Sequence, residues 1–418
     1  MNQSNRINTL SDNPAGKFRQ ILNKVPEVTL YFWIIKVLCT TVGETASDFL
    51  NVNLNLGLIG TAVAMGVCLL VVMSFQFRAK KYVPALYWLT VVLISVFGTL
   101  LTDILTDNLH IPLAASTVFF SIALAITFAV WYAKEGTLSI HSIFTVRREA
   151  FYWSAILFTF ALGTASGDLM AESLAFGYLG TGLIICAVIV VVTVAWRFGL
   201  DVILAFWLVY IMTRPLGASL GDYLSQIQGN GGLGFGAAVT SAIFLAAILA
   251  VVIFLTVTRR DLVAVSEPAV EPKKTRISAL WQVIGVVALL VAVSGVGYNW
   301  RSTQLAKLQV ANASSPAPLG DLSAFRKITG DTLGLVRAGD MSGAKTRITD
   351  LETAWDGAQA HLKPMNPDKW TELDTAIDPV LRNLRESKPD AKVCITSLQS
   401  LIDLLNYSGP NFSDTKVT

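Results

Sequence analysis

The sequence predicts an all-α integral membrane protein: four parallel two-helix repeats, a ninth transmembrane helix and an extracytoplasmic helical bundle. Three observations predict it: an apolar, charge-poor composition, apolar runs of membrane-spanning length, and one motif that recurs four times. Of 418 residues, 53% are hydrophobic and 15% charged, too apolar a balance for one soluble core.

Runs of about 20 apolar residues, enough to cross about 30 Å of hydrocarbon, fall near 29-50, 57-77, 82-105, 111-132, 150-170, 175-196, 200-222, 233-256 and 276-298. Their linkers alternate in charge. Arg6, Lys17, Arg19 and Lys24 precede the first run; Arg78, Lys80 and Lys81, then Arg147 and Arg148, then Arg197, then Arg259, Arg260, Lys273, Lys274 and Arg276 occupy every second linker. The intervening connections carry no Lys or Arg, so the positive-inside rule predicts a cytoplasmic N-terminus. The polar residues before the first run resemble no cleavable signal. The expected divisions are a cytoplasmic segment 1-28, a membrane domain 29-258, a cytoplasmic linker 259-275, a ninth span 276-298, a linker 299-320, a bundle 321-410 and a tail 411-418.

Beyond the ninth span, apolar residues recur at helical spacing: Leu322, Phe325, Ile328 and Leu335; Ile348, Leu351 and Trp355; Trp370, Leu373 and Ile377; Leu398, Leu401 and Leu404. Asp340, Pro367 and Pro389 punctuate them, which predicts about four helices with their own core. Cys394 is the sole cysteine there, and Cys39, Cys68 and Cys186 fall in predicted spans, where they read as small packing residues.

The repeat is exact in its first half. Trp33, Trp88, Trp153 and Trp207 are each followed ten residues later by Gly43, Gly98, Gly163 or Gly217, and five residues after that by Asp48, Asp103, Asp168 or Asp222. Nine residues beyond the aspartates the same register gives Gly57, Pro112, Gly177 and Gly231; twelve beyond, it gives Gly60, Ala115, Gly180 and Gly234. Each copy holds two spans, so all four enter the membrane in one direction, unlike inverted repeats. Four aspartates then lie at one end of four helices, positioned to converge around an axis. The tryptophans and glycines read as anchoring and close-packing residues.

These acids oppose local electrostatics. They lie at helix C-termini, where the macrodipole is already negative, and Glu44, Asp107 and Glu172 each add a like charge one turn from a column aspartate. Lys36 and Arg214, on the first and fourth copies, are the fixed cations within these helices, expected to pair with aspartates of neighbouring repeats. A proton or a metal ion is the remaining compensation. His110, in an outer connection, is a further candidate metal ligand.

The segments TTVGETASDFL, FYWSAILFTFALGTASGDLMAESLAFGYLGTG and FWLVYIMTRPLGASLGDYL resemble a bacterial multi-pass membrane protein family known only as uncharacterised membrane-anchored proteins. The resemblance covers residues 30 to 255 and implies a fold without an activity. ASGD and SLGD only half match an intramembrane aspartyl protease, and no P-loop, Cys-x-x-Cys pair, metalloprotease helix or nucleotide fingerprint is present. The expected function is therefore not enzymatic but cation transport, with a divalent metal such as Mn²⁺, or else Ca²⁺ or Mg²⁺, as cargo. Asp48, Asp103, Asp168 and Asp222 are expected to bind the ion or relay protons, Glu44, Asp107 and Glu172 to hand it over, and Lys36 and Arg214 to balance charge or gate. The partners expected are the lipid bilayer, a cation or proton, and a second copy or an extracytoplasmic protein; no nucleic acid is expected. The competing expectation is a membrane-anchored receptor or scaffold whose outer bundle binds a ligand, though no cytoplasmic output domain is recognisable.

Overall fold

The computed structural model describes residues 23–53, 57–109, 111–226, 232–261, 276–312, 319–363, 365–386 and 389–407. His110 and Gly231, and the basic residues Arg6, Lys17, Arg19, Lys273 and Lys274, lie outside them. The described residues are helical without strands. In chain order α1 is Leu30–Asn53, α2 Gly57–Arg78, α3 Pro84–Asp103, α4 Leu113–Glu135, α5 Val146–Asp168, α6 Gly177–Arg197, α7 Val202–Ser225, α8 Ala237–Thr258, α9 Arg276–Asn312, α10 Ser323–Arg337, α11 Met341–Leu362, α12 Pro367–Arg385 and α13 Ala391–Tyr407.

Among the described residues, 7 helices, α2 to α8, are long and apolar enough to cross a membrane, against the nine expected. Helix α1 matches them in length but carries Lys36, Glu44 and Asp48. Helix α9 is 37 residues long and continues past the expected end at 298. Its Gln282 side-chain oxygen accepts from the Asp201 amide at 3.0 Å, in the turn before α7. Near its other end the Arg301 guanidinium donates to the Leu174 and Ala175 carbonyls at 2.8 and 3.1 Å, in the turn before α6. It therefore runs from one end of the helical array to the other.

The odd-numbered helices α1, α3, α5 and α7 form a closed ring, each packed against the next and α7 against α1. Each even helix packs chiefly on the odd helix of the following repeat: α2 on α3, α4 on α5, α6 on α7, and α8 back on α1. The repeats interlock rather than standing as separate hairpins. Large apolar residues on the even helices, such as Val67, Phe119, Val190 and Leu249, are exposed, as a lipid-facing layer requires.

The column glycines make the ring. A Cβ on Gly43 would meet the Ser95 hydroxyl, one on Gly98 the Phe160 Cβ, one on Gly163 the Arg214 stem, and one on Gly217 the Thr40 hydroxyl. Each glycine thus receives the residue that lies three before the next repeat's glycine. Without a Cβ the backbones approach closely enough to exclude lipid between them.

The second half of the register departs from expectation in the fourth copy. Gly57 and Gly177 start α2 and α6 with φ 68° and 67°, and the glycine with this role before α8 is Gly236, φ 78°. Gly234 stands in the loop before it with φ 82°, not within a helix as Gly180 does. The fourth connection is longer, so the spacing beyond Asp222 is broken. The repeat resumes with buried hydroxyls four residues on, at Thr61, Ser116, Thr181 and Thr240.

The C-terminal helices α10 to α13 surround a second core that includes Phe325, Ile348, Leu373 and Leu398, with Trp355 and Trp370 stacked at 3.9 Å. The punctuation is as expected. The Asp340 side chain caps α11 by accepting from the Gly343 amide at 2.8 Å, Pro367 opens α12, and Pro389 precedes α13.

Candidate functional site

Steps of four residues keep one face of each ring helix toward the axis, so the columns stack as layers. Eleven residues before the glycines stand Phe32, Tyr87, Tyr152 and Phe206; seven before, Lys36, Val91, Ile156 and Tyr210; three before, Thr40, Ser95, Phe160 and Arg214. One residue after come Glu44, Thr99, Thr164 and Ala218, and five after, the aspartates.

The aromatic end is closed. Phe32, Tyr87 and Tyr152 are buried, and the Tyr87 and Tyr152 hydroxyls share a hydrogen bond of 2.5 Å. The chain before α1 straps this end: the Lys24 amide donates to the Ile143 carbonyl at 3.0 Å, the Tyr82 amide to Asn23 at 3.1 Å, and the Glu27 amide to Asp261 at 3.3 Å. Lys24, counted in the sequence among the cytoplasmic charges of the topology signal, is buried. Its ammonium meets Glu149 at 2.6 Å and the Phe77 carbonyl at 3.0 Å. Gln76 donates to the other Glu149 oxygen at 3.0 Å. No periodicity in the sequence marks this pair, because its partners are more than a hundred residues apart.

In the middle of the axis the two fixed cations do not pair with aspartates as expected. Arg214, fully buried, donates to Glu44 at 2.8 Å, to the Thr164 hydroxyl at 2.6 Å, to the Thr40 carbonyl at 3.2 Å and to the Thr99 hydroxyl. Its acceptors therefore come from all three other ring helices, and Glu44, Thr99 and Thr164 are the equivalent positions of three repeats. The fork of Arg214 ends in the layer of Glu44, one turn before the column aspartates. Lys36 has no hydrogen-bond partner among the described residues; its Nζ lies over the rings of Phe160 and Tyr210, 4.0 and 4.2 Å from their centroids. Quadrupole attraction replaces the expected carboxylate.

Above Arg214 the axis widens into a cavity of about 1110 Å³ lined by Glu44, Asp48, Asp103, Asp107, Asp168, Glu172 and Asp222. All seven acids singled out from the sequence therefore reach one space. Carboxylate oxygens of Glu44, Asp168 and Asp222 lie within 4.8 Å of one another. Asp48 and Asp103 line the same cavity outside that closest group. None of the four column aspartates forms an ion pair among the described residues. The Ser225 hydroxyl, buried and without a partner among the described residues, lines the cavity beside Asp222. Such a donor set, three carboxylates and a hydroxyl, suits hard cations.

Asp107 and Glu172 are placed by a feature the sequence did not announce. Helices α3 and α5 each end in a π-helical turn, Ile104–Asn108 and Leu169–Ser173, closed by Leu109 donating to Ile104 at 3.0 Å and Leu174 to Leu169 at 2.9 Å. Asp107 and Glu172 lie within these wider turns, which rotate them relative to an α-helical register, a device frequent at functional sites.

The C-terminal bundle forms the opposite wall, with Glu352, Asp356, Asp374 and Asp378 among its lining residues, together with Arg382 and Arg385. Arg385 is held by Glu352 in a two-pronged contact, one arm at 3.0 Å. The bundle touches the ring directly, for Gln359 donates to Glu172 at 2.7 Å and Lys363 lies 3.9 Å from it.

The model of a repeat of unknown function (DUF347) matches this chain four times, over residues 31–82, 86–137, 151–198 and 205–261. Each match contains one Trp-Gly-Asp set, and the fourth, which holds the lengthened connection, is the longest. No curated protein and no solved structure matches. Together the four matches span half of the chain, which belongs to the family of proteins built from this repeat.

Proposed function

We propose that the chain is a multi-pass membrane transport protein for a cation, with a divalent metal such as Mn²⁺ as cargo. The observation that carries this reading is the convergence of Glu44, Asp168 and Asp222, from three different repeats, to within 4.8 Å on the axis. Acids in a membrane-spanning ring are expensive to keep, and a capping role alone does not require them to meet. Hard oxygen donors favour Mn²⁺, Mg²⁺ or Ca²⁺ over thiophilic metals, and no cysteine or histidine among the described residues lines the cavity.

In this reading the chain crosses the inner membrane nine times. The basic linkers place the aromatic end in the cytoplasm, so the acidic cavity and the C-terminal bundle face outward. Asp48, Asp103, Asp107 and Glu172, with the acids of the bundle wall, concentrate cations by their field and pass them to the trio below. The closed aromatic layer and the two fixed cations hold the other end shut, so that passage requires a second conformation.

The test is transport itself. Liposomes reconstituted with the full chain and loaded with a dye quenched by Mn²⁺ are expected to show protein-dependent quenching, which Asp168→Asn and Asp222→Asn abolish. Equal fluxes in the parent, both variants and empty liposomes refute the reading.

A further inference from the structure

Glu44 has two neighbours of opposite kind. On one side its carboxylate joins Asp168 and Asp222 within 4.8 Å; on the other it accepts from the Arg214 guanidinium at 2.8 Å. The remaining acceptors of Arg214 are neutral: the hydroxyls of Thr99 and Thr164 and the carbonyl of Thr40. Its Nε has no partner among the described residues. Glu44 is thus the charge that holds Arg214 on the axis, among the described residues, and it is also one of the three carboxylates grouped there. The Ser225 hydroxyl, buried and unpartnered on the same cavity, is a neutral oxygen left for a ligand that is not Arg214.

We propose that Arg214 is a tethered competitor for the cation: its guanidinium takes on Glu44 the place that a bound cation takes, so that loading the trio and releasing Arg214 are one event. The proposal rests on the reading of the trio as a cation site. A carboxylate shared by a divalent ion and a guanidinium brings two positive charges together beside buried side chains, 0% exposed at Arg214 and 9% at Glu44, where their repulsion is screened less than in bulk water. Each therefore weakens the other's hold, and by linkage the effect is reciprocal. The same guanidinium ties α7 to α1, α3 and α5, so its release loosens the ring at the layer that blocks the axis. Occupancy of the site is in this way communicated to the closed half of the molecule by one side chain. Lys36, whose Nζ lies over the Phe160 ring at 4.0 Å, and Arg214, whose guanidinium lies 5.8 Å from the same ring, are neighbours, so the lysine side chain fills the space into which Arg214 would retreat. Thr40, Thr99 and Thr164 are the acceptors that remain to it.

The experiment uses the purified full chain in detergent and Mn²⁺ alone, titrated by calorimetry. Arg214→Gln is expected to bind Mn²⁺ at least tenfold more tightly than the parent, Arg214→Lys to stay within threefold of it, and Arg214→Gln with Asp168→Asn to lose the gain. Thr99→Val removes an acceptor of Arg214 and no carboxylate. It is expected to tighten binding by a smaller factor, and it decides the matter if Arg214→Gln does not fold. Parent binding that is lost in Asp168→Asn but unchanged or weakened in Arg214→Gln and Thr99→Val overturns the competition and leaves the cation site standing. An absence of binding in the parent and in every variant removes the site and the competition with it.

Discussion

The two ends of the four-helix ring are built from the same repeat and treat charge in opposite ways. At the aromatic end the buried Lys24 and Glu149 are paired at 2.6 Å, with Gln76 and the Phe77 carbonyl satisfying further groups. At the acidic end seven carboxylates of the repeats share one cavity, and among the described residues the cations touching them are Arg214 on Glu44 and Lys363 on Glu172. A buried ion pair with both carboxylate oxygens hydrogen-bonded rigidifies the fold around it, whereas opposed like charges store a preference for whatever neutralises them. The ring is therefore held from the aromatic end and left responsive at the acidic end.

The largest expected effect breaks the first half of that comparison. Lys24→Met strips Glu149 of its cation in a site where it is 1% exposed, and breaking a buried pair costs roughly 3–5 kcal/mol. Thermal unfolding in detergent is expected to move far down, and Lys24→Met with Glu149→Gln to recover most of the loss. If the single and double variants melt alike, the aromatic end does not hold the ring.

Next in size is the interlock between repeats. Gly217→Ala places a Cβ 2.0 Å from the Thr40 hydroxyl oxygen and 2.9 Å from the Thr41 amide nitrogen. Overpacking of this kind costs about 1–3 kcal/mol. Gly285→Ala in α9, where a Cβ meets nothing within 4 Å, is the matched control and is expected to hold or raise the melting temperature, since alanine is the better helix former. Equal effects at the two sites would show that helix–helix contact at the glycine column is dispensable.

What the sequence disclosed follows from which forces are local. Helices, their apolar faces and the Trp-Gly-Asp columns were readable because helical period and repeat spacing are written along the chain. The caps of the bundle helices, Asp340 and Pro367, were readable for the same reason. The ring closure was not, because it depends on which neighbour each glycine meets. Nor was the pairing of Arg214 with Glu44 instead of an aspartate, because the Thr99 and Thr164 hydroxyls that hold the guanidinium in that layer come from other repeats. The π-turns that place Asp107 and Glu172 leave no mark in a count of residues. The lengthened fourth connection was disguised because Gly231 and Gly234 happened to preserve the spacing while Gly236 performed the role.

A smaller effect tests whether the acidic end and the bundle act as one unit. Gln359→Leu removes the 2.7 Å hydrogen bond to Glu172; hydrogen bonds to charged groups contribute about 1.5–3 kcal/mol when buried, and this part-buried one is expected at the lower edge. Hydrogen exchange across α11 is the measurement. Faster exchange confined to the residues facing the ring is expected, with the bundle core around Trp355 and Trp370 unchanged. Uniform acceleration through α10 to α13 would mean that the bundle core depends on docking.

The smallest expected change in stability separates the two kinds of aspartate at the acidic end, and it has the opposite sign to the others. Asp168→Asn keeps the shape of the side chain and removes a charge from a group of three carboxylates within 4.8 Å. Without metal, relief of like-charge repulsion is expected to stabilise by a few tenths of a kcal/mol, the scale of neighbouring like charges on a helix. With Mn²⁺ at a hundred times its dissociation constant the parent is expected to gain about 2.7 kcal/mol, and Asp168→Asn to forfeit most of it. Asp103→Asn alters a residue that lines the cavity outside the closest group, so it is expected to keep most of the metal response while showing the same small stabilisation without metal. The sign follows from what each carboxylate touches: both face like charges, but only Asp168 stands where an ion would join three oxygens. Melting curves of the three proteins with and without Mn²⁺ decide it. Equal loss of the metal response in Asp103→Asn and Asp168→Asn would replace the trio by a symmetric shell of four aspartates, and the two halves of the ring would then differ in charge alone and not in the asymmetry that Arg214 imposes.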